Sequence, residues 1–158
     1  MTVEDTASAF DAAGGSATLG EILLALGGRL TRLQTELLAS LDPPLTIRQY
    51  RILSRVDSGY TSLTALCKLA HRNPSTMSQS VDKLVQMGLL TRGTAEHSRR
   101  TMRLALTTRG REVQAAGSRA LRKFTDELTV GIPADLTDRL LPVVNQLFRD
   151  LQGNLDDD

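Results

Sequence analysis

Hydrophobic side chains recur at steps of three and four residues through most of the chain, a pattern that predicts a mainly helical protein. The first helix begins at Thr18, which with Glu21 has the sequence of a capping box, and it ends at Pro43 and Pro44. Residues 1–17 are small, polar and aperiodic, so we expect a mobile segment there. The apolar positions of this long helix are Leu19, Ile22, Leu23, Leu26, Leu30, Leu33, Leu37 and Leu41.

Three shorter helices follow the proline break. Thr46 and Gln49 form a second capping box, and Ser62 can cap a third helix. Asn73 is a favourable N-cap and Pro74 suits the first helical position, so the fourth helix begins within a few residues of the end of the third. Two short helices joined this tightly predict a helix-turn-helix unit.

The fourth helix has two different faces, with Met77, Val81 and Leu84 predicted to point inward. The opposite face begins with hydroxyl and amide groups instead of the Glu–Lys pairs typical of a solvated helix. Such groups can bond to base edges, and the N–H groups of a helix start attract phosphate. An exposed polar helix with no such role is the alternative that this face alone leaves open. The candidate DNA-contacting residues of this helix are Asn73, Ser75, Thr76, Ser78, Gln79 and Lys83.

A small β element is predicted after the fourth helix. Gly88 can end that helix, and residues 89–92 can form a strand. Residues 101–106 alternate apolar with polar side chains, as a half-buried strand does. The segment between them, GTAEHSRR at residues 93–100, is predicted to be a loop that carries paired arginines, which together with the strands makes a wing. The wing adds Arg92, Arg99 and Arg100 to the candidate DNA contacts.

Two more helices complete the chain, one capped by Thr107 and one after Pro133 that Pro142 is predicted to kink. The fold prediction is therefore mainly α with a small β wing, as a single domain over residues 18–158. A winged helix-turn-helix core would span 45–111, with long dimerisation helices at 18–41 and 112–152. We expect a homodimer, because the leucine stripe of the first helix and that of the last exceed what a small wing domain can cover. The last stripe contains Leu136, Leu140, Val144, Leu147 and Leu151.

The net charge of +1 conceals a strong segregation of charge. Residues 68–111 contain nine basic and two acidic side chains, a net charge of +7, whereas the segments before and after them carry −2 and −4. A basic centre between acidic flanks indicates a surface that faces a polyanion. A charged solvated face is the alternative.

Several classes of protein are not predicted. The single cysteine and two histidines give no metal-ligand spacing, and neither a phosphate-binding glycine loop nor a nucleophile motif is present, so we expect no enzyme and no cofactor. Without a long apolar run or an export leader, the expectation is a cytoplasmic protein with no membrane partner. Cys67 falls on the inner face of its helix and is interpreted as a small hydrophobic residue, with a redox switch as the alternative.

The order of the predicted elements and the local amino-acid sequence resemble those of the MarR family of winged helix-turn-helix regulators. The most specific segments are LTIRQYRIL at 45–53, LTALCKLAHRNPSTMSQSVDKLVQMGLLTR at 63–92 and LALTTRGRE at 104–112. The outer helices match only in their hydrophobic pattern.

This resemblance implies a homodimer with interlocked first and last helices, bound to double-stranded DNA at a pseudo-palindromic operator. Residues 73–87 would be the recognition helix in the major groove, and Arg100 would take the place of the wing-tip arginine in the minor groove. A repressor released by a small aromatic or phenolic effector is the implied mode of action. Arg48 and Tyr50 lie near the place where family effectors bind, with ordinary packing of Tyr50 and exposure of Arg48 as the alternative. The reading end of the helix is assigned to Ser75, Thr76, Ser78 and Gln79.

Three positions depart from the family pattern. The acidic position of the Asp-x-Arg wing motif is Ser98, and Glu96 is the acid that can brace the arginines instead. Arg72 occupies a commonly apolar turn position and Gln79 one that is often arginine, which predicts an unusual target sequence. The alternative function is a winged-helix interaction module whose basic centre docks an acidic protein partner.

Overall fold

The computed structural model describes residues 17–70, 73–95 and 98–156, and the side chains of all these residues except 94–95, 98–102 and 152–156. The predicted mobile segment, apart from Ala17, lies outside them. The described residues form six helices and one antiparallel pair of strands, so the prediction of a mainly helical fold with a small wing is confirmed. The helices are α1 (Leu19–Ala39), α2 (Ile47–Asp57), α3 (Leu63–Ala70), α4 (Pro74–Gln86), α5 (Thr108–Thr129) and α6 (Ala134–Asp156); the strands are β1 (Leu90–Ala95) and β2 (Ser98–Leu106).

Side-chain caps fix the helix starts where the sequence predicts them. In the capping box of α1, the Thr18 N–H donates to Glu21 Oε2 at 2.8 Å and the Glu21 N–H donates to Thr18 Oγ1 at 3.3 Å. Bonds from the Thr18 backbone and hydroxyl lower the pKa of the Glu21 carboxyl. Thr46 and Gln49 form the second box, and the Ser62 hydroxyl accepts the Ala65 N–H at the start of α3.

Residues of α1 to α5 and of the two strands share one hydrophobic core within the described residues. Helix α2 contacts α1, α4 and β2, whereas α4 contacts α3 and β1. The predicted inward residues of α4 are buried, and burying a leucine or valine side chain completely contributes about 1.5–3 kcal/mol to folding. This packing leaves the other face of α4 toward solvent. The core consists of Leu38, Leu45, Ile52, Leu53, Val56, Leu66, Met77, Val81, Leu84, Leu89, Leu90, Leu104, Leu106 and Val113.

The strands of the wing are longer, and the loop between them is shorter, than predicted. Leu90 pairs with Leu106 and Gly93 with Arg103, and a register shift between Thr94 and Ala95 lets the pairing continue. The prediction of a loop over residues 93–100 was therefore wrong, since most of that segment, including both arginines, belongs to β1 and β2. A glycine usually weakens a strand, but Gly93 pairs in regular register with Arg103, and the bulge-type irregularity follows it between Thr94 and Ala95.

The base of the wing is closed by hydrogen bonds between Thr107 and the residues that follow α4. Gly88, with φ of 69°, reverses the chain after α4 in a conformation that favours glycine. The Thr107 hydroxyl donates to the Gly88 carbonyl at 2.7 Å, and the Thr107 N–H donates to the Leu89 carbonyl at 3.1 Å. The same hydroxyl accepts the Gly110 N–H at 2.8 Å, which confirms Thr107 as the cap of α5. We call these four residues the wing junction.

The chain forms two compact units, one through Leu121 and one from Arg122. In the first unit, α1 changes character along its length, because Leu19 is 72% exposed whereas Leu38 is 1% exposed. The predicted stripe included Leu37, which is half-buried, and did not include the fully buried Leu38. In the second unit, α6 continues through Pro142, and its predicted stripe is exposed along the described length. Among the helices of the described residues, none is both long and apolar enough to cross a membrane.

We predict that Gly110→Ala destabilises the protein by about 1–3 kcal/mol, as overpacking does. A methyl group on Gly110 would overlap the carbonyl oxygen of Leu89 in the wing junction. Gly20→Ala is the matched control, because Gly20 also lies in the first turn of a helix and has open space around its Cα. Urea unfolding at one fixed protein concentration measures both. Equal stability of the two variants would contradict the close packing at Gly110.

Candidate nucleic-acid interface

The start of α4 presents a polar surface on a rigid support. Asn73 caps the helix, and its side-chain oxygen accepts the Ser75 N–H at 2.9 Å. Pro74 occupies the first helical turn, as predicted. Of the predicted contact residues, Asn73, Ser75, Gln79 and Lys83 are exposed, whereas Thr76 and Ser78 are half-buried.

The electrostatics of this helix start favour an anion. The unpaired N–H groups of a helix N-terminus carry a partial positive charge that attracts phosphate. The first turn of α4, described in full, holds no acidic residue that would neutralise this charge. The surface therefore combines groups suited to base edges with a backbone end suited to phosphate.

An ion pair joins α4 to the first strand of the wing. Arg92 Nη2 on β1 lies 2.7 Å from Asp82 Oδ1 on α4. The other carboxylate oxygen of Asp82 accepts a long bond of 3.4 Å from the Ser78 hydroxyl. Two predicted DNA-contacting residues, Arg92 and Ser78, thus contact the same carboxylate. Asp82 was not among the predicted site residues. A carboxylate among hydroxyls and amides is unusual on this helix, but no sequence pattern pointed to Arg92 as its partner.

The wing arginines lie in the second strand of the hairpin. Arg99 and Arg100 fall within β2, near its start at Ser98 and before the buried Leu104. Their side chains, together with that of Ser98, lie outside the described side chains, and Arg72 and Glu96 lie outside the described residues. The backbone of Ser98 is opposite Ala95, beyond the register shift. The hairpin therefore carries the arginine pair on its strand at the end away from the wing junction.

An open groove of about 490 Å³ lies beside the polar face of α4. Two of its lining residues, Arg48 and Lys83, are basic and exposed, and no acidic side chain is among the residues that line it. Gln79 belongs both to this groove and to the predicted reading face. The groove is lined by Thr35, Thr46, Ile47, Arg48, Gln49, Gln79, Ser80 and Lys83.

Arg48 and Tyr50, the predicted effector-binding pair, have different surroundings. Arg48 lines the groove beside α4, whereas Tyr50 is not among its lining residues. The Tyr50 ring is half-buried and packs against α5, where a methyl group on Gly117 would lie 2.9 Å from two ring carbons. Of the two side chains, only that of Arg48 lines this groove.

Cys67 is half-buried and packs against the hydrophobic core, on the inner side of its helix as predicted. A thiol in such surroundings packs as a small hydrophobic group. The described residues contain no group of three or more His, Cys, Asp or Glu side chains that could hold a metal ion.

Comparison with known proteins places this geometry among DNA-binding folds. The sequence model of the winged helix DNA-binding domain family matches residues 30–110. FabT from Streptococcus pneumoniae, in a complex with DNA, has a similar structure with a TM-score of 0.78, at 16% identity and covering 85% of this chain and 96% of that chain. No curated protein matches the chain in sequence.

Two further solved structures share the fold. A mutant of E. coli MarR complexed with operator DNA has a TM-score of 0.67 at 21% identity, with coverage of 82% of this chain and 92% of that chain. BldR from Sulfolobus solfataricus has a TM-score of 0.66 at 20% identity, with coverage of 95% and 99%. The winged helix fold predicted from the resemblance to MarR regulators is therefore confirmed.

Proposed function

Since the chain belongs to the family of winged helix DNA-binding domains, we propose that it is a homodimeric repressor of transcription that binds a pseudo-palindromic operator and is released by a small-molecule effector. Its family and fold are those of DNA-binding proteins and not those of enzymes. Such a repressor works in the cytoplasm with the chromosome. The observation that supports this function most is the polar start of α4 exposed beside a two-stranded wing.

In the proposed complex, α4 lies in the major groove. Ser75 and Gln79 are exposed on its first two turns, where hydroxyl and amide groups bond to base edges. Asn73 and the helix start face the phosphate backbone, and Lys83, in the last turn of the helix, supplies a cation to it. Thr76 is half-buried and offers its exposed atoms at the edge of the same surface.

The wing enters the neighbouring minor groove. Arg99 and Arg100 lie on β2 near the end of the hairpin, and arginines at such a position favour the narrow minor groove of A·T-rich sequence. Contacts there select the shape of the groove more than its base sequence. We therefore assign base preference to α4 and general affinity to the arginines of the wing.

Exposed apolar faces support the homodimer. In α1, Leu19 and Leu23 are exposed in the single chain, and in α6 the stripe from Leu136 to Leu151 is exposed as well. Contiguous apolar surface of this kind marks a protein interface. A two-fold dimer places two copies of α4 about one turn of DNA, ~10 base pairs, apart and matches a palindromic operator.

The groove beside α4 is the proposed place of effector binding. An aromatic or phenolic acid would put its negative group near Arg48 and Lys83 and its ring against Ile47. Because Gln79 lines the same groove, a bound ligand competes with the base edge for that side chain. In this proposal Tyr50, packed against Gly117, supports the position of α2 behind the groove.

We predict that Gln79→Ala removes base discrimination of about 1–3 kcal/mol at a symmetric pair of operator positions. Gln86→Ala is the matched control, because Gln86 is an exposed amide at the far end of the same helix. Affinities for a panel of single-base operator variants measure the effect. Full preference in Gln79→Ala, or an equal loss in Gln86→Ala, would contradict the assignment of α4 to the major groove.

Arg100→Ala is expected to weaken binding to many sequences alike and to flatten the salt dependence by about two charges per dimer. Arg119→Ala, which removes an exposed arginine of α5, serves as the control and should leave the salt slope unchanged. The measurement is the slope of the logarithm of affinity against the logarithm of salt concentration. An unchanged slope in Arg100→Ala would argue for the interaction module that docks an acidic protein.

The dimer depends, in this proposal, on the apolar stripe of α6. Leu147→Glu should produce a monomer, because a charge in an apolar interface loses its hydration without gaining a partner. Asn145→Glu, at an exposed polar position of the same helix, should remain a dimer. Analytical ultracentrifugation gives the mass of each. A dimeric Leu147→Glu variant would show that the stripe is not the interface.

A further inference from the structure

Asp82 is the one acidic residue of α4, within a segment that is otherwise polar, apolar or basic. A carboxylate on a helix that approaches DNA repels phosphate, and a cation that lies close to it weakens this repulsion. The structure supplies such a cation from a different element, because Arg92 belongs to β1 of the wing. The acid therefore has a partner outside its own helix.

The geometry of the pair links two elements through one carboxylate. Asp82 Oδ1 lies 2.7 Å from Arg92 Nη2, a short charge-assisted contact, while Oδ2 accepts the Ser78 hydroxyl at 3.4 Å. In the ladder, Arg92 is opposite Leu104, whose side chain is buried in the core. Arg92 therefore lies on a part of β1 that the core holds in place. An ion pair at its guanidinium thus constrains the position of the wing.

The exposure of the pair argues against a role mainly in folding. The Arg92 and Asp82 side chains are 30% and 46% exposed. Ion pairs with this much access to solvent contribute little to the free energy of folding. This ion pair connects two different elements, α4 and β1, whereas the exposed pair of Arg32 and Glu36 lies within a single helix.

We propose that Asp82 and Arg92 form a joint that holds the wing in register with α4, so that Arg92 is a positioning residue and not a phosphate contact. This proposal rests on the proposed DNA-binding function. It also assigns Ser78 to the joint, which leaves Ser75 and Gln79 as the principal groups that meet base edges. The joint allows the major-groove helix and the minor-groove wing to engage one operator together.

A role of Arg92 as a phosphate contact makes the opposite prediction for Asp82. If Arg92 binds phosphate, removing the carboxylate frees the guanidinium and raises affinity for operator and non-specific DNA alike. If the pair is a joint, removing either partner loosens the wing, and the ratio of operator affinity to non-specific affinity falls. The two accounts differ in the direction of one measurable ratio.

The experiment compares Asp82→Asn, Arg92→Gln, the combination of both, and the charge swap Asp82→Arg with Arg92→Asp, all in the full chain. Each single variant should lower the ratio of operator to non-specific affinity about fivefold, and the combination should be no worse, as expected for residues in contact. The swap should restore most of the ratio. Glu36→Gln, which breaks the ion pair within α1, is the control and should leave the ratio unchanged.

Two results would overturn the joint. One is a ratio that stays level or rises in Asp82→Asn. The other is additive loss in the combination with a salt slope lowered by about two charges per dimer in Arg92→Gln, the mark of a phosphate contact. Thermal unfolding of every variant shows whether it folds. If the charge-swapped variant does not fold, the two single variants and their combination still distinguish the joint from a phosphate contact. Failure of the wild-type chain to bind duplex DNA would instead refute the proposed function.

Discussion

The arrangement of the DNA-facing elements depends on the wing junction, where the chain leaving α4 and the chain entering α5 are tied by short backbone and hydroxyl bonds. Thr107 contributes three of these bonds, to Gly88, Leu89 and Gly110. They fix where β1 begins and where β2 ends, so the whole hairpin projects from one closed base. A wing held this firmly at its base needs only one more contact to define its angle to α4.

That second contact is the pair of Asp82 and Arg92, and the two constraints act at different places. The wing junction joins the end of α4 to both strands, whereas the ion pair joins the middle of α4 to β1. Because the inner face of α4 is buried, with Val81 and Leu84 fully inside the core, its polar face points toward solvent. Packing, junction and ion pair together hold the polar face of α4 exposed beside the wing.

Local rules in the sequence predicted the helices well. The starts of α1, α2, α3, α4 and α5 depend on caps within three residues of one another, such as Thr46 with Gln49, and the structure confirms them. The inward residues of α4 followed from helical periodicity for the same reason. The omission of Leu38 from the predicted stripe arose because neighbouring leucines both fit a stripe and only the packing of α1 against α2 shows which is more deeply buried.

Features that depend on contacts between distant segments were not predictable in the same way. Strand β1 continues past Gly93 because its backbone pairs with that of β2. No pattern within the sequence of β1 alone predicts this pairing. Tyr50 and Arg48 are two residues apart on α2, yet the Tyr50 ring packs against Gly117 whereas Arg48 lines the groove beside α4. The partner of Asp82 is ten residues along the chain in a different element, so neither residue alone indicated the pair.

The central claim is that the basic middle of the chain is a sequence-reading surface for duplex DNA, and salt titration of binding tests it most directly. Duplexes selected by the protein from its source genome, and scrambled versions of them, are titrated at several salt concentrations. The expected result is a linear fall of the logarithm of affinity with the logarithm of salt, and a selected site bound at least ~10³-fold more tightly than its scrambled version. Binding that ignores salt, or that treats both duplexes alike, would contradict the claim.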